Sequence, residues 1–569
     1  MQLMRVNESL SVSGQINEQD LEALAAEGVQ LVVCNRPDGE SAEQPEFSAL
    51  QQTAERLGLE IIDIPFKSGE MQQQHIAAFT DIIKSDKKVH AYCRTGNRSF
   101  CLYAAVHAST GAPEAEILAQ AKEVGFDVTA VVSPYYSESK VNSQDDVVGL
   151  KTSAKPSYDV AIVGAGSGGI AAAVSILKRN STLRVAVIDP ATEHFYQPGW
   201  TMVGGGVFDA ANTRRSMQSL IPRAVTWLQQ SVIGFAPKDN EIELDNGDRV
   251  HYSQLIVAPG LTLDWAGVKG LAESLGKNGV TSNYSYQHAP YTWELVQKTK
   301  QGKAIFTQPP MPIKCAGAPQ KALYLSCDHW RRAGVLNDID VNFFNAGGVL
   351  FGVPDYVPAL QSYIDKYEAK VHYSHNLQEI DGENKVAHFK KAGGGGEGED
   401  ETISQEFDMI HVCPPQRSPK FVADSELADA SGWLEVNQFS LQHKRFENVW
   451  GLGDVMNTPN AKTMAAVRKQ VPVVAQNLVD SLADRDIHCA YDGYGSCPLT
   501  VERGKIVLAE FGYGGKIIPT FPTWMLQGKK PTRRAWALKK DILPGIYWGA
   551  MLKGREWLAG PEELEKTRA

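Results

Sequence analysis

The feature that most restricts this chain is one run near residue 160. Tyr158-Asp159-Val160-Ala161-Ile162-Val163 has the apolar pattern of a buried parallel strand, and it runs directly into Gly164-Ala165-Gly166-Ser167-Gly168-Gly169. A helical pattern, Ile170–Arg179, follows, and then a second strand, Arg184–Ile188, that ends at Asp189. A G-x-G-x-x-G motif alone says little. Between a strand and a helix, with an acid 25 residues beyond its first glycine, it predicts a β–α–β dinucleotide-binding unit. Gly164 is expected to make the tight turn. Ala165 and Gly166 bring backbone close to a pyrophosphate, and Gly169 permits tight helix–strand packing. The helix N-terminus adds N–H donors and a positive dipole end, while Asp189 is placed to accept from ribose hydroxyls.

At 569 residues the chain needs several domains. Its 56 basic and 66 acidic residues leave a net charge of −10, which argues against a general nucleic-acid-binding role. No run of 18 apolar residues predicts a transmembrane helix, and Met1–Gly14 lacks the layout of a secretory signal. A folded, unsecreted protein is expected. Its eight cysteines include no C-x-x-C, so neither a zinc ribbon nor a thioredoxin-like pair is indicated, and no metal site is expected. In a reducing compartment, a cysteine pair is more readily catalytic than structural.

Two polar segments divide the chain: 137–157 reads as a linker, and Lys391–Glu401 as a surface loop between strands. The expected organisation is an α/β domain over 1–136, the linker, an oxidoreductase core over 158–500 and a tail over 501–569. Two stretches favour FAD over NAD. Gln254–Gly260 is an apolar strand ending in small residues, and Asn448–Asp454 is a strand ending in Gly453-Asp454. That order resembles the flavoproteins with two Rossmann-like dinucleotide domains, in which the aspartate lies against the flavin's ribityl and phosphate region. The second such turn, after the strand Asp340–Phe344, lacks spaced glycines and a ribose-binding acid, so NADH is not the expected reductant.

Cys315, in Lys314-Cys315-Ala316-Gly317-Ala318-Pro319-Gln320-Lys321, precedes a predicted helix, and Cys497 stands far along the chain in Gly495-Ser496-Cys497-Pro498-Leu499. With His194–Trp200, Ser282–Ser285 and Tyr491–Leu499, these motifs resemble sulfide:quinone oxidoreductases of the mitochondrial branch, over about residues 156–560. The resemblance implies that Cys315 and Cys497 form a redox pair beside FAD, with hydrogen sulfide as substrate and a quinone, ubiquinone or menaquinone, as electron acceptor. It also implies that Gln197, Val232, Asp454, Lys462 and Thr463 help hold FAD, the last two at the start of a helix. Lys314 is the expected cation beside the reactive thiolate. Cys327 and Cys413 are expected to be buried and inert.

A quinone is lipid-soluble, so the protein must reach a bilayer. The segment Trp524–Leu558 carries eight basic residues (Lys529, Lys530, Arg533, Arg534, Lys539, Lys540, Lys553 and Arg555) against two acidic ones. Trp524, Trp536, Trp548 and Trp557 lie among them, a composition suited to a headgroup anchor on the inner, cytoplasmic face of a cell membrane, the alternative being a C-terminal helix packed on the core.

Tyr92-Cys93-Arg94-Thr95-Gly96-Asn97-Arg98-Ser99 follows a predicted strand and opens a helix. Such a loop makes an anion nest that favours a Cys93 thiolate, and Arg98 can fork onto an anion. The gap of four residues between Cys93 and Arg98 is one shorter than in tyrosine phosphatases and is similar to rhodanese sulfurtransferases. With Asn35–Glu40, the domain resembles a phosphatase-like family often fused to sulfur-metabolism enzymes. Its fusion to a sulfide-oxidising core leads to the expectation that Cys93 takes sulfane sulfur from the Cys315–Cys497 centre, directly or through a small carrier, and hands it to a small thiol such as glutathione. Asp38 is read as a turn residue rather than a phosphatase general acid. The competing readings are an NADH:quinone-type reductase for the core and a phosphatase-like or non-catalytic regulatory N-terminal domain.

Overall fold

The computed structural model describes residues 3–7, 9–41, 44–66, 71–83, 85, 87–110, 112–126, 128, 131–132, 156–391 and 401–564. The chain divides into two compact units, Met1–Leu150 and Lys151–Ala569. All but the last two residues of the expected linker, and the glycine-acidic run 392–400, lie outside the described residues. The strands flanking that run, Val386–Lys391 and Glu401–Glu406, pair antiparallel as expected of a loop between strands.

In the first unit five strands form one sheet, in the order Leu3–Arg5, Leu10–Ser13, Val89–Tyr92, Leu31–Cys34, Glu60–Asp63. Only the first pair is antiparallel. Alternation along the central strands separates two apolar layers. Leu31, Val33, Val89 and Ala91 pack with Phe79, Phe100 and Tyr103, whereas Val32, Cys34 and Tyr92 pack with Leu21, Leu24 and Leu50. The central strand ends at Tyr92, so Cys93 emerges at its carboxyl end, immediately before the helix Asn97–Ser109.

The second unit contains a mixed sheet and a parallel one among its sheets. The first runs Val225–Leu228, Val185–Ile188, Ser157–Val163, Arg249–Val257, Glu241–Leu244, Val232–Ala236, with Val449–Gly451 pairing onto the end of Arg249–Val257. The fingerprint glycines behave as their spacing predicts. Gly164 has φ +99°, and a side chain on Gly169 would meet the Gly164 carbonyl oxygen at 1.8 Å. Gly166 caps the helix Ser167–Arg179 and has open space where a Cβ would lie. The second sheet runs Val280–Thr281, Met409–His411, Gly302–Gln308, Ile339–Asn345, Lys370–Tyr373. Beyond these sheets a hairpin, Gly495–Glu502 with Lys505–Phe511, crosses the expected division at residue 500.

Part of the tail packs on the core. Lys539 and Trp548 are buried and Trp536 is half-buried. Lys529 pairs with Asp355, and Lys540 with Asp541. The chain here has folded back onto its own core: the Arg179 guanidinium forks onto Glu556 at 2.7 and 2.9 Å, and the Lys178 ammonium donates to the Gly554 carbonyl. Charges that composition assigns to a membrane surface are partly spent on intramolecular contacts. Exposed apolar side chains remain at Trp524, Met525, Ile542, Trp557 and Leu558. Among the described residues no helix is long and apolar enough to cross a membrane.

Gly169→Ala is expected to cost at least ~2 kcal/mol, because the added methyl collides with backbone that cannot move aside. Gly166→Ala, with open space at the same atom, should stay within ~1 kcal/mol of the parent. Thermal unfolding of both variants measures the contrast.

Candidate active site

One cavity of about 340 Å³ is lined by many of the sequence-predicted residues of the second unit, though not by Cys497, Asp189 or Val232. Gly166, Ser167 and Gly168 line one end. Gln197, Cys315, Gly453, Asp454, Lys462 and Thr463 line the remainder with side chains from the tail. Gly164, Ala165 and Gly169 shape the turn. The carboxylate of Asp189 accepts from Ala165 N–H at 2.7 Å and Ala191 N–H at 2.8 Å, bracing the glycine loop. Val232 sits in the core of the first sheet. The donor set fits a flavin dinucleotide: backbone N–H groups at a helix N-terminus for a pyrophosphate, a carboxylate at the second strand's end for ribose, and polar side chains at the far end.

The cysteines lie far apart in sequence and meet in space. Cys315 Sγ and Cys497 Sγ are 3.9 Å apart. Cys497 belongs to the hairpin strand Gly495–Glu502, and Cys315 sits before the helix Ala318–Ala333 in a left-handed conformation, φ +49°. That conformation disfavours any side chain other than glycine, asparagine or aspartate, so the surroundings must hold it. The Cys315 N–H donates to the Lys462 carbonyl at 2.8 Å, which joins the cysteine turn to the Thr463-capped helix Met464–Leu482. Gly317 must be small, since a Cβ there would meet Leu499 at 2.3 Å.

The cation at this thiol is not the expected one. Lys314 instead donates to Gln197 Oε1 at 2.6 Å, with its ammonium 5.9 Å from the ring centres of Trp200 and Tyr284. The partner is Lys321, whose buried ammonium lies 2.9 Å from Cys315 Sγ. A hydrogen bond from Cys497, and then the Lys321 charge, hold the Cys315 thiol well below its usual range. The same shared hydrogen bond and burial push Cys497 well above its own, so Cys315 is the thiolate and Cys497 the thiol. Lys321 was legible in part, because a lysine in the first turns of a helix opposes the dipole and calls for a nearby anion. Nothing in the sequence marks Lys539, also buried, which donates to Thr500 Oγ1 at 2.8 Å and the Pro498 carbonyl at 3.3 Å.

Cys327 and Cys413 are buried, with burial driving both thiols up, Cys413 to about 12. Lys462 donates to the carbonyls of Asp454 and Met456, both at 2.7 Å, and burial lowers it to about 8. After the strand Ile339–Asn345, the side chain of Asn345 accepts from Gly347 N–H at 2.8 Å and donates to the Val349 carbonyl at 2.9 Å. This turn is closed on itself, in contrast to the open glycine loop of the first sheet.

In the first unit the loop gathers around Cys93. Gly96 N–H donates to Cys93 Sγ at 3.2 Å. Arg98 is buried and forks onto Glu40 at 2.8 and 2.7 Å, while also donating to the Phe66 carbonyl at 2.7 Å. Arg36 donates to the same carboxylate at 3.0 Å. Asp38 accepts from Phe47 N–H at 3.0 Å at the start of the helix Phe47–Leu57, a capping contact rather than an acid at the cysteine.

The pyridine nucleotide-disulphide oxidoreductase model matches residues 158–294, and the phosphatase-like domain of beta-lactamase hydrolase-like proteins matches 2–110. Sheet order, glycine loop and cysteine pair place the second unit in that disulphide oxidoreductase class. The chain is 38% identical to the mitochondrial sulfide:quinone oxidoreductase of Dictyostelium discoideum over 422 residues, 74% of this chain and 90% of that one. It belongs to the sulfide:quinone oxidoreductase family. The solved sulfide:quinone oxidoreductase of Aquifex aeolicus shares the fold, with a TM-score of 0.55 at 18% identity over 69% of this chain and 91% of that chain. The N-terminal unit is similar to the beta-lactamase hydrolase-like protein of Xylella fastidiosa, 32% identical over 137 residues, 23% of this chain and 31% of that protein.

Lys321→Met removes the charge beside Cys315. The pH at which Cys315 is half-maximally alkylated by iodoacetamide, followed on its peptide by mass spectrometry, should rise by about one pH unit or more.

Proposed function

We propose that the protein is an FAD-dependent sulfide:quinone oxidoreductase whose N-terminal unit carries sulfane sulfur onward. The observation that carries the reading is two cysteine sulfurs 3.9 Å apart, half-buried Cys315 on the wall of the cavity that begins at the glycine loop and 2.9 Å from a buried ammonium, and Cys497 buried beside it. Gly166 and its neighbours would take the pyrophosphate, Asp189 the ribose through its remaining lone pairs, and Gln197, Asp454, Lys462 and Thr463 the flavin end. When bound, FAD supplies the two-electron acceptor between the cysteines and a quinone.

The chemistry of the pair follows from its asymmetry. Sulfide attacks the oxidised Cys315–Cys497 bond, which breaks as a new sulfur–sulfur bond forms. The better leaving group is the sulfur with the lower pKa. Cys315 therefore departs as the thiolate held by Lys321, and Cys497 receives the persulfide.

The persulfide must be unloaded for turnover. In the first unit Cys93, bonded by Gly96 N–H and lying in the loop that leads to Arg98, is the acceptor for that sulfur, directly or through a small carrier, before it passes to a thiol such as glutathione. Tethering raises the effective concentration of such an acceptor. Exposed Trp524, Met525, Ile542, Trp557 and Leu558 seat the second unit on the inner face of the cell membrane, where the quinone resides.

Anaerobic sulfide should bleach the flavin of the purified protein or raise a long-wavelength charge-transfer band, and a short-chain quinone should reverse it. Cys315→Ser should abolish the response. Bleaching by NADH in place of sulfide would sink the reading. For the first unit, Cys93→Ser should leave bleaching intact while changing the rate or identity of the sulfur products; unchanged products with every acceptor would remove its role.

A further inference from the structure

The hairpin that carries Cys497 has two faces with different chemistry. Its register sets Ser496 opposite Glu510, Cys497 opposite Ala509 and Pro498 opposite Leu508. Successive strand residues point to opposite sides, so Cys497 faces Cys315 while Ser496, Pro498, Leu508 and Glu510 face away from it. These four also line the cavity, together with Leu538 and Leu543 of the tail. This apolar wall contains one carboxylate.

Glu510 is only 5% exposed. Its Oε1 accepts from the Tyr494 hydroxyl at 2.7 Å and from Thr520 N–H at 3.2 Å. Thr520 Oγ1 lies 2.9 Å from the Tyr494 hydroxyl. Tyr494 has one hydrogen and gives it to Glu510, so Thr520 donates to Tyr494. The result is an ordered chain from half-buried Thr520 through Tyr494 to Glu510, and all three residues line the cavity. The charged neighbours are Lys469, whose ammonium is 5.7 Å from the centre of the Tyr494 ring, Arg468, and Lys539 on the cavity wall; Tyr356 holds the Glu510 backbone.

Reducing a quinone to a quinol takes two electrons and two protons, and a donor on the apolar wall would deliver the protons where the quinone lies. We propose that Glu510, reloaded through Tyr494 and Thr520, is the proton donor to the quinone. The inference rests on the quinone-reducing reading above. In each transfer the O–H bond of the Glu510 carboxylic acid breaks as an O–H bond forms on a quinone oxygen. The carboxylate then takes the Tyr494 proton, Tyr494 takes that of Thr520, and water restores Thr520. The reduced enzyme supplies both electrons, and two passes of the relay supply both protons.

The test uses flavin-loaded protein reduced anaerobically with sulfide and then mixed with a short-chain quinone. Reoxidation is followed across neutral pH in H₂O and D₂O, and quinone binding by tryptophan fluorescence quenching. Glu510→Gln should slow reoxidation about a hundredfold, flatten its pH profile and abolish its solvent isotope effect. Sulfide bleaching and quinone binding should stay at wild-type levels, Glu510→Asp should recover part of the rate, and Tyr494→Phe should weaken the isotope effect. Wild-type reoxidation with an unchanged pH profile in Glu510→Gln and Tyr494→Phe would overturn the relay, as would a loss explained wholly by weaker quinone binding. Wild-type protein that bleaches with sulfide but never reoxidises with quinone would overturn the underlying reading, and the relay with it.

Discussion

A thiolate and an ammonium buried together are each tolerable because the other is there; alone, either is costly to desolvate. The contact between Cys315 and Lys321 is that pair, and the geometry of the second unit is organised around it. Lys321 stands on the buried side of the helix Ala318–Ala333, and Cys315 occupies the left-handed turn just before it. The turn is pinned by the Lys462 carbonyl, so the helix capped by Thr463 is fixed relative to the thiolate. The backbone hydrogen bond from Cys315 to Lys462 thus ties the second sheet's cysteine turn to the helix Met464–Leu482.

The hairpin 495–511 then presents two different faces, one strand thick. Alternation puts Cys497 against Cys315 and turns Glu510 and Leu508 toward the tail. Sulfur chemistry needs buried charge, and a quinone needs an apolar wall with few well-placed polar groups. A β-strand meets both demands without a longer connection. The tail completes the apolar side and is latched onto the fingerprint helix by Arg179 and Glu556, while its own Lys529, Lys539 and Lys540 are held by Asp355, Thr500 and Asp541.

The first unit solves a smaller version of the same problem. Arg98 keeps its place in a buried setting because Glu40 and the Phe66 carbonyl take its outer donors. Arg36 shares the Glu40 carboxylate. Glu40 stands in the Asn35–Glu40 motif without any pattern to show that it would meet Arg98, 58 residues further along.

Local rules were sufficient for the elements near the fingerprint and for the helix Phe47–Leu57, because apolar period, glycine spacing and caps act within one or two turns. Cys315 and Cys497 were marked instead by the resemblance of their short, contiguous motifs to a known family. Local rules misjudged the cation. Lys314, adjacent in sequence, points to Gln197, while Lys321 returns to the sulfur because the intervening residues begin a helix. Composition likewise placed Lys539 and Trp548 at a membrane surface, but packing buried them. What the sequence by itself determined was the dinucleotide unit, the two cysteines and the loop at Cys93. The tertiary structure alone decided which lysine faces the thiolate, which cysteine keeps its proton and which tail residues stay exposed, because those outcomes depend on contacts between segments up to hundreds of residues apart.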